Sequence, residues 1–222
     1  MSKTINYYDE HAIDYFEKTF DVDNTLNQKM FLREVTKIGY DNPKMLDVGC
    51  GACRDAYFFK NNGISVYPID ASTALADIVK EKLDIDIEVM DMSDISFREE
   101  FELVWASASI LHLNKVEAKQ VMTKCYNALK PGGLFYISVK AKQNEEFSDR
   151  ERYFSYYEKD ELAEMLKDVG FSGKIKTAYR KHNNTATPYH PRHSSYGGNG
   201  RYGTALWCRC GTLAGSGLSA RL

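Results

Sequence analysis

Nowhere in the 222 residues does an apolar run approach the roughly 20 that a membrane-spanning helix needs. The opening stretch, MSKTINYYDEHAIDYFEK, is polar and acidic and lacks the apolar core of a secretory leader. Neither sign of charge dominates: 29 basic against 31 acidic side chains leave a net −2, which offers no general attraction to a polyanion. Disulfides are not needed to fold a chain of this length, and five cysteines is an odd set, so reduced thiols and a cytoplasmic setting are expected. No internal repeat or low-complexity tract occurs before residue 181. What remains is an ordinary soluble composition, 43% hydrophobic and 27% charged, long enough for one sizeable domain with a buried core.

Three further absences mark the end of the chain. No acidic residue follows Asp168, no isoleucine follows Ile175 and no lysine follows Lys181. Four arginines and seven of the fifteen glycines fall in residues 182–222, which carry +4 against −6 for residues 1–181. A flexible basic segment would read this way, because such a composition buries little apolar surface. The abrupt exchange of lysine for arginine instead suggests a change of codon usage. The expectation is therefore an atypical Gly/Arg-rich tail over 182–222, frame-shifted or non-native in part.

The spacing of apolar residues predicts opening helices over Tyr7–Phe20 and Thr25–Ile38. Asn42-Pro43 breaks that pattern, and Met45–Val48 reads as a short buried strand. Helices then follow at Arg54–Asn61, Thr73–Lys82, Lys115–Leu129 and Lys159–Val169. Strands alternate with them at Ile64–Ile69, Ile85–Met90, Phe101–Ala106 and Leu134–Val139. Short apolar strands alternating with helices imply an α/β fold, a parallel sheet covered on both faces.

In such a sheet, ligands bind beyond the carboxyl ends of the strands where strand order reverses. The loop "DVGCGACRD" follows the first strand, and Gly49 and Gly51 there allow a tight turn and close approach of backbone N–H groups to a ligand. Asp70 closes "VYPID" 19 residues after Gly51, the place from which a carboxylate accepts both hydroxyls of a ribose. The dinucleotide pattern G-x-G-x-x-G would need glycine at position 54, which is Arg54. Asp47, just before the loop, would repel a pyrophosphate but suits a ligand with an ammonium group, which favours S-adenosylmethionine over NAD.

At these residues the chain resembles the class I S-adenosylmethionine-dependent methyltransferases, over roughly Tyr7 to Phe171. "MLDVGCGACRD" is similar to the family's first motif, "VYPIDAS" to its second-strand acid and "VMDMSDISF" to its adenine-side motif. "FELVWASASILHL" and "ALKPGGLFYISV" are similar to its fourth and fifth strands. Within the superfamily, small bacterial tellurite- and ubiquinone-methyltransferase-like proteins are the nearest in pattern.

The resemblance implies a Rossmann-like doubly wound, mostly parallel sheet flanked by helices, with residues 1–40 capping a core of residues 41–181. It implies that Asp47 holds the methionyl amino group and that Gly49, Cys50 and Gly51 line the methionine and ribose. Asp70 would take the ribose diol, Ala71 and Ser72 would lie beside the adenine, and Asp91 and Met92 would meet its amine and face. Ser107 and Ala108 would approach the methionyl moiety, Arg54 would pair with its carboxylate, and Tyr8 would close the pocket. Many relatives carry a third glycine where this chain has Cys53. The family's last, antiparallel strand falls on "YGTALWCRC", a poor but possible substitute: the strand either forms there or is incomplete, and a missing strand would leave a sheet edge open to self-association.

Each feature also has a plainer reading. Asp47 alone could cap a turn. Cys50-x-x-Cys53 could be a redox pair, or half of a zinc site completed by Cys208 and Cys210. Cys125 reads as packing. His182, His190 and His193 match no ligand spacing, so no metal is assigned. His112 is the candidate catalytic base if the acceptor is an oxygen acid, and equally a loop histidine bonded to backbone. Tyr153 and Phe154 could wall an acceptor pocket or staple the helix that follows. The expected reaction is methyl transfer to a small-molecule acceptor, with no nucleic acid or membrane involved and a monomer or weak homodimer. The alternatives are a S-adenosylmethionine-binding protein without turnover and an NAD-dependent oxidoreductase.

Overall fold

Strand β1 (Lys44–Val48) is buried from Met45 onward because it lies in the interior of the sheet, paired on both edges, with helices over both faces. The computed structural model describes residues 3–141, 151–179 and 203–210. The sheet runs β3 (Glu88–Val89), β2 (Ser65–Asp70), β1, β4 (Phe101–Ser107), β5 (Leu129–Ala141), β8 (Gly203–Cys210), β7 (Phe171–Tyr179). The two-residue β6 (Tyr156–Tyr157) pairs with the far end of β5. β1 to β5 pair in parallel, whereas β8 is antiparallel to both β5 and β7. Strand order reverses between β1 and β4, so the carboxyl ends of β1, β2 and β4 open onto one crevice.

Alternation along the strands divides the core. Leu46, Val48, Val104 and Ala106 face α6 (Lys115–Ala128) and α7 (Lys159–Val169). Met45, Leu103 and Trp105 face α3 (Thr25–Ile38) and α4 (Arg54–Lys60). On that second face Trp105 stacks on its strand neighbour Tyr136, the ring centroids 3.6 Å apart, and Phe31 and Phe59 pack edge-on against the indole. A third cluster joins α2 (Ala12–Thr19), α4 and α5 (Thr73–Leu83) through Phe16, Ala56 and Val79. α1 (Lys3–Glu10) precedes α2 over the crevice.

One carboxylate ties this helical face together. Asp55, in the first turn of α4, is 6% exposed. It accepts from Asn24 (3.1 and 3.3 Å), Gln28 (2.7 Å), both Nε and Nη2 of Arg54 (2.9 Å each) and the Trp105 indole (3.0 Å). Burial pushes its carboxyl up, but the Arg54 charge and the bonds from Arg54, Asn24 and Trp105 outweigh that and hold it below the usual range.

Several expectations change. The single helix expected over Tyr7–Phe20 is two, meeting at His11, whose φ of −116° leaves the helical region. The strand expected over Ile85–Met90 shrinks to Glu88–Val89, an edge pair with one neighbour. Lys130–Gly133 forms a bulge within β5, where Leu129 pairs with Phe101 and Leu134 with Leu103. Of the two alternatives for the last strand, the structure shows the one in which it forms. Gly203–Cys210 pairs along β5 from Gly203 to Arg209, and Leu206, Cys208 and Cys210 alternate into the core. The cysteines serve there as small apolar residues in a strand whose neighbours hydrogen-bond it on both sides. Residues 182–202 and 211–222, including His182, His190 and His193, lie outside the described residues. Among the described residues no helix is long and apolar enough to cross a membrane.

Replacing Asp55 by Ala should lower unfolding free energy in urea by about 3 kcal/mol, because it removes the ion-pair partner of the partly buried Arg54 guanidinium and strands three neutral donors. Asp14, which pairs with Lys18 in the open, should tolerate the same change within about 0.5 kcal/mol. Equal effects at the two positions would remove Asp55 from its central place.

Candidate functional site

The crevice beyond β1, β2 and β4 is one cavity of about 1020 Å³, counted out to its open mouth. Its floor is the loop after β1. Gly49 and Cys50 donate their backbone N–H groups to the Ile69 carbonyl at 2.9 and 3.0 Å, which pins the loop to β2. Gly49 has φ +68°, and a Cβ there would lie 2.5 Å from that of Ser109, so the position accepts only glycine. Gly51 has φ +54° and lies under the Tyr15 ring, 3.2 Å from where a Cβ would stand. Cys53 also has a left-handed φ of +54° and is fully buried. The turn therefore keeps a glycine-like backbone there without glycine, at a cost of about 1 kcal/mol.

Asp70, at the end of β2, accepts from the Gly51 N–H on one oxygen (2.8 Å) and from the Ser72 N–H on the other (3.0 Å). These bonds orient it toward the cavity and leave lone pairs on both oxygens. Its carboxyl is nonetheless pushed up, since burial outweighs the backbone bonds from Ser72, Gly51 and Ala71. Asp47 is 2% exposed, and its Oδ2 has no hydrogen-bond partner. Burial first, then the nearby Asp55 charge, push its carboxyl well above the usual range, with Arg54 opposing. A buried, unpaired carboxylate facing a cavity is an open place for a cationic donor.

The remaining walls come from the next strand ends. Asp91 caps the short turn at Met92–Asp94 by accepting from the Ser93 N–H (2.8 Å), and Met92 contributes its side chain. After β4 come Ser107, Ala108 and Ser109. Ala108 has φ +55°, and its N–H donates to Ser138. The Ser109 hydroxyl is buried and unpartnered, and it too lines the cavity.

The lid is built from α1 and α2. Tyr8 donates its hydroxyl to His112 Nε2 (3.0 Å). His112 Nδ1 lies 2.9 Å from the Tyr153 carbonyl, which can only accept, so Nδ1 carries the proton and Nε2 is the basic nitrogen. Burial pushes the imidazole down to about 4, with the Arg152 and Lys140 charges adding to it against the pull of the Tyr153 carbonyl. Burial also raises the Tyr8 phenol above its ordinary value. Phe154 packs 4.9 Å from the His112 ring.

Tyr8, Asp47, Gly49, Cys50, Gly51, Arg54, Asp70, Ala71, Asp91, Met92, Ser107, Ala108 and His112 thus meet at one cavity. Two expectations are revised. Ser72 does not line it: its hydroxyl caps α5 by accepting from the Leu75 N–H (3.1 Å) and donates to Asp9 (2.6 Å). Ser72 thereby fastens α1 to α5. Arg54 does line the cavity, but its guanidinium is engaged by Asp55 and the Val22 carbonyl, so a ligand carboxylate would share it rather than find it free. Tyr15, Asp55 and Ser109 were missed from sequence. An aromatic seven residues, two helical turns, beyond Tyr8 was the available signal for Tyr15, while Asp55 and Ser109 carried none. Cys50 and Cys53 lie at the loop, whereas Cys208 and Cys210 pack in a different cluster, so the two pairs do not form one four-ligand site. Among the described residues no group of three or more His, Cys, Asp or Glu could hold a metal.

Residues 45–133, from β1 into the β5 bulge, match the family described as a methyltransferase domain. A phosphoethanolamine N-methyltransferase of Plasmodium falciparum is 26% identical over 150 residues, 61% of this chain and 56% of that protein. A ubiquinone biosynthesis O-methyltransferase of Bradyrhizobium sp. (strain ORS 278) is 34% identical over 101 residues, 43% of this chain and 39% of that one. The matches therefore span about half the length of these relatives or less. Among solved structures, a Burkholderia thailandensis 1,6-didemethyltoxoflavin-N1-methyltransferase with bound 1,6-didemethyltoxoflavin and S-adenosylhomocysteine superposes with a TM-score of 0.69. It is 16% identical and covers 92% of this chain and 86% of its own, a likeness of fold. Domain match, strand order and the glycine loop at the reversal point agree: residues 45–133 match a methyltransferase domain, set in a Rossmann-like α/β fold like that of the solved methyltransferase.

Proposed function

We propose that the protein transfers the methyl group of S-adenosylmethionine to a small-molecule acceptor. The observation that carries this reading is the partnerless Oδ2 of buried Asp47, beside a loop where a Cβ at Gly49 would clash. Those features fit the ammonium and close backbone approach of a methionyl group. Asp70, already oriented by two backbone N–H groups, would accept the ribose hydroxyls, and Asp91 with Met92 would meet the adenine. Ser107 and Ala108 would border the methionyl chain and Tyr8 with Tyr15 would cover it. When bound, the sulfonium supplies a methyl group open to in-line displacement.

The chain's own part is positioning, exclusion of water and management of one proton. Asp47 and Asp70 bring negative charge to a ligand whose charge is positive, in a site shielded by α1 and α2. His112 is neutral near pH 7, and its Nε2, which accepts from the Tyr8 hydroxyl here, would take the proton of an acceptor hydroxyl or amine that displaces that phenol. A neutral imidazole adds no repulsion to a sulfonium, and its low basicity suits a base that passes its proton on to water.

Calorimetry should show both S-adenosylmethionine and S-adenosylhomocysteine binding with one site per chain, and labelled methyl should move to at least one member of a broad small-molecule panel. Binding without transfer to any acceptor would favour the alternative, a ligand-binding protein without turnover; nicotinamide dinucleotide binding in its place would sink both.

Asp70→Ala should weaken binding by about 1–3 kcal/mol, through loss of charge-assisted hydrogen bonds. Asp47→Asn should weaken it by at least tenfold and at the same time raise apo stability by about 1 kcal/mol, because it removes an uncompensated buried charge. If Asp47→Asn leaves binding intact, the ammonium assignment fails.

His112 gives a pH signature. Its folded value, about 4, lies below the ordinary 6.5, so the unfolded chain takes up a proton that the folded one refuses. The stability this contributes is intact above pH 6.5 and falls away as the pH drops toward 4, by up to about 3 kcal/mol. His112→Asn should flatten this slope in denaturant titrations at pH 7 and pH 4.5; parallel curves for the two proteins would rule out the buried neutral imidazole.

A further inference from the structure

Among the described residues, Asp47 and Ser109 both line the cavity, and Asp47 Oδ2 and Ser109 Oγ are buried without a hydrogen-bond partner. The two atoms differ in what they lack. A carboxylate oxygen can only accept, which suits an ammonium, whereas a serine hydroxyl also has a proton to donate. A buried hydroxyl left unpaired costs stability, so Ser109 calls for a partner that arrives with the ligand.

Ser109 is the second residue beyond β4, and the left-handed φ of +55° at Ala108 turns the chain just before it. The turn brings Ser109 onto the loop that follows β1. A Cβ placed on Gly49 would stand 2.5 Å from Ser109 Cβ and 3.3 Å from its Oγ. Ser109 therefore lies against the glycine that would border the methionyl chain, two residues after Asp47. Its residue is 5% exposed and so held in place, while its hydroxyl turns on a single torsion.

A methionyl carboxylate needs donors, and the nearby groups that could supply them are already engaged. Arg54 Nε and Nη2 both donate to Asp55 (2.9 Å each), and its Nη1 donates to the Val22 carbonyl (3.3 Å). The Gly49 and Cys50 N–H groups go to the Ile69 carbonyl, that of Gly51 to Asp70 and that of Ala108 to Ser138.

We propose that Ser109 is a further cofactor-binding residue, whose hydroxyl donates to the methionyl carboxylate of S-adenosylmethionine while Asp47 takes the ammonium. The inference rests on the methyl-transfer reading and adds a residue to its cofactor site. Two unpaired atoms, one that can only accept and one that can donate, match the two charged ends of an amino acid. A neutral donor also leaves the Arg54–Asp55 pair, which joins α3, α4 and β4, undisturbed.

The test is calorimetry on the full chain with S-adenosylhomocysteine and with S-adenosyl-3-thiopropylamine, which keeps the ammonium and lacks the carboxylate. Ser109→Ala should weaken S-adenosylhomocysteine binding by about fivefold or more, the effect of one hydrogen bond lost to a charged group. It should leave the thiopropylamine within about twofold. Asp47→Asn should weaken both, because both ligands carry the ammonium. The urea midpoint of Ser109→Ala without ligand should equal or exceed that of the parent protein, since the hydroxyl it removes has no partner. A lower midpoint would reveal a hydroxyl paired within the protein and overturn the proposal. Unchanged affinity for both ligands, the result if water serves the hydroxyl, would overturn it, and so would equal weakening of both. Each of those results leaves the cofactor assignment standing, whereas failure of the parent protein to bind S-adenosylhomocysteine would overturn both.

Discussion

A single ionised carboxylate, Asp55, sets the frame on which the cavity is built. It gathers donors from the start of α3, from α4 and from β4, so that the helical layer and the sheet share one buried polar junction. Without it the Asn24, Gln28 and Trp105 donors would lose their shared acceptor and Arg54 its counter-charge, which makes the junction cooperative. Its partner Arg54 is held at the cavity wall, and Trp105, whose indole it fixes, is the stacked core of the same face. Its charge also acts on Asp47, which has no partner of its own and is raised by burial and by this neighbour together.

That contrast between two buried acids links the fold to the site. Asp55 is satisfied and structural, while Asp47 is unsatisfied and faces open volume. A protein carries an unpaired buried carboxylate at the expense of stability, and the reading that accounts for it is a cation supplied by the ligand.

Much of this was legible in order along the chain. Period-2 and period-3.6 spacing located α3 and placed β1, α4, β2, α5, β4 and α6 to within a few residues. Aspartates at successive strand ends pointed to one crevice because a parallel sheet turns all its carboxyl ends the same way. Ser72 misled because a serine after a strand-end acid can face the ligand or cap the next helix, and only the Leu75 N–H three residues on decides between them. "YGTALWCRC" misled because tryptophan, arginine and cysteine dilute the apolar alternation. Pairing with β5 and β7 nevertheless supplies the hydrogen bonds that its own composition does not advertise.

The sequence by itself determined the class of fold, the glycine turn and the three acids, since each follows from local spacing and from which residue types tolerate a given backbone. It carried the identity of His112 but not its state, because tautomer and basicity depend on Tyr8 and Tyr153, 104 and 41 residues away. The Asp55 junction, the lid fastening through Asp9 and Ser72, and the seating of Arg152 against the Tyr7 and Phe154 rings were likewise decided only in three dimensions. Charges and hydrogen bonds act over a few ångströms of space, and no periodicity in the chain records which distant groups folding will bring that close.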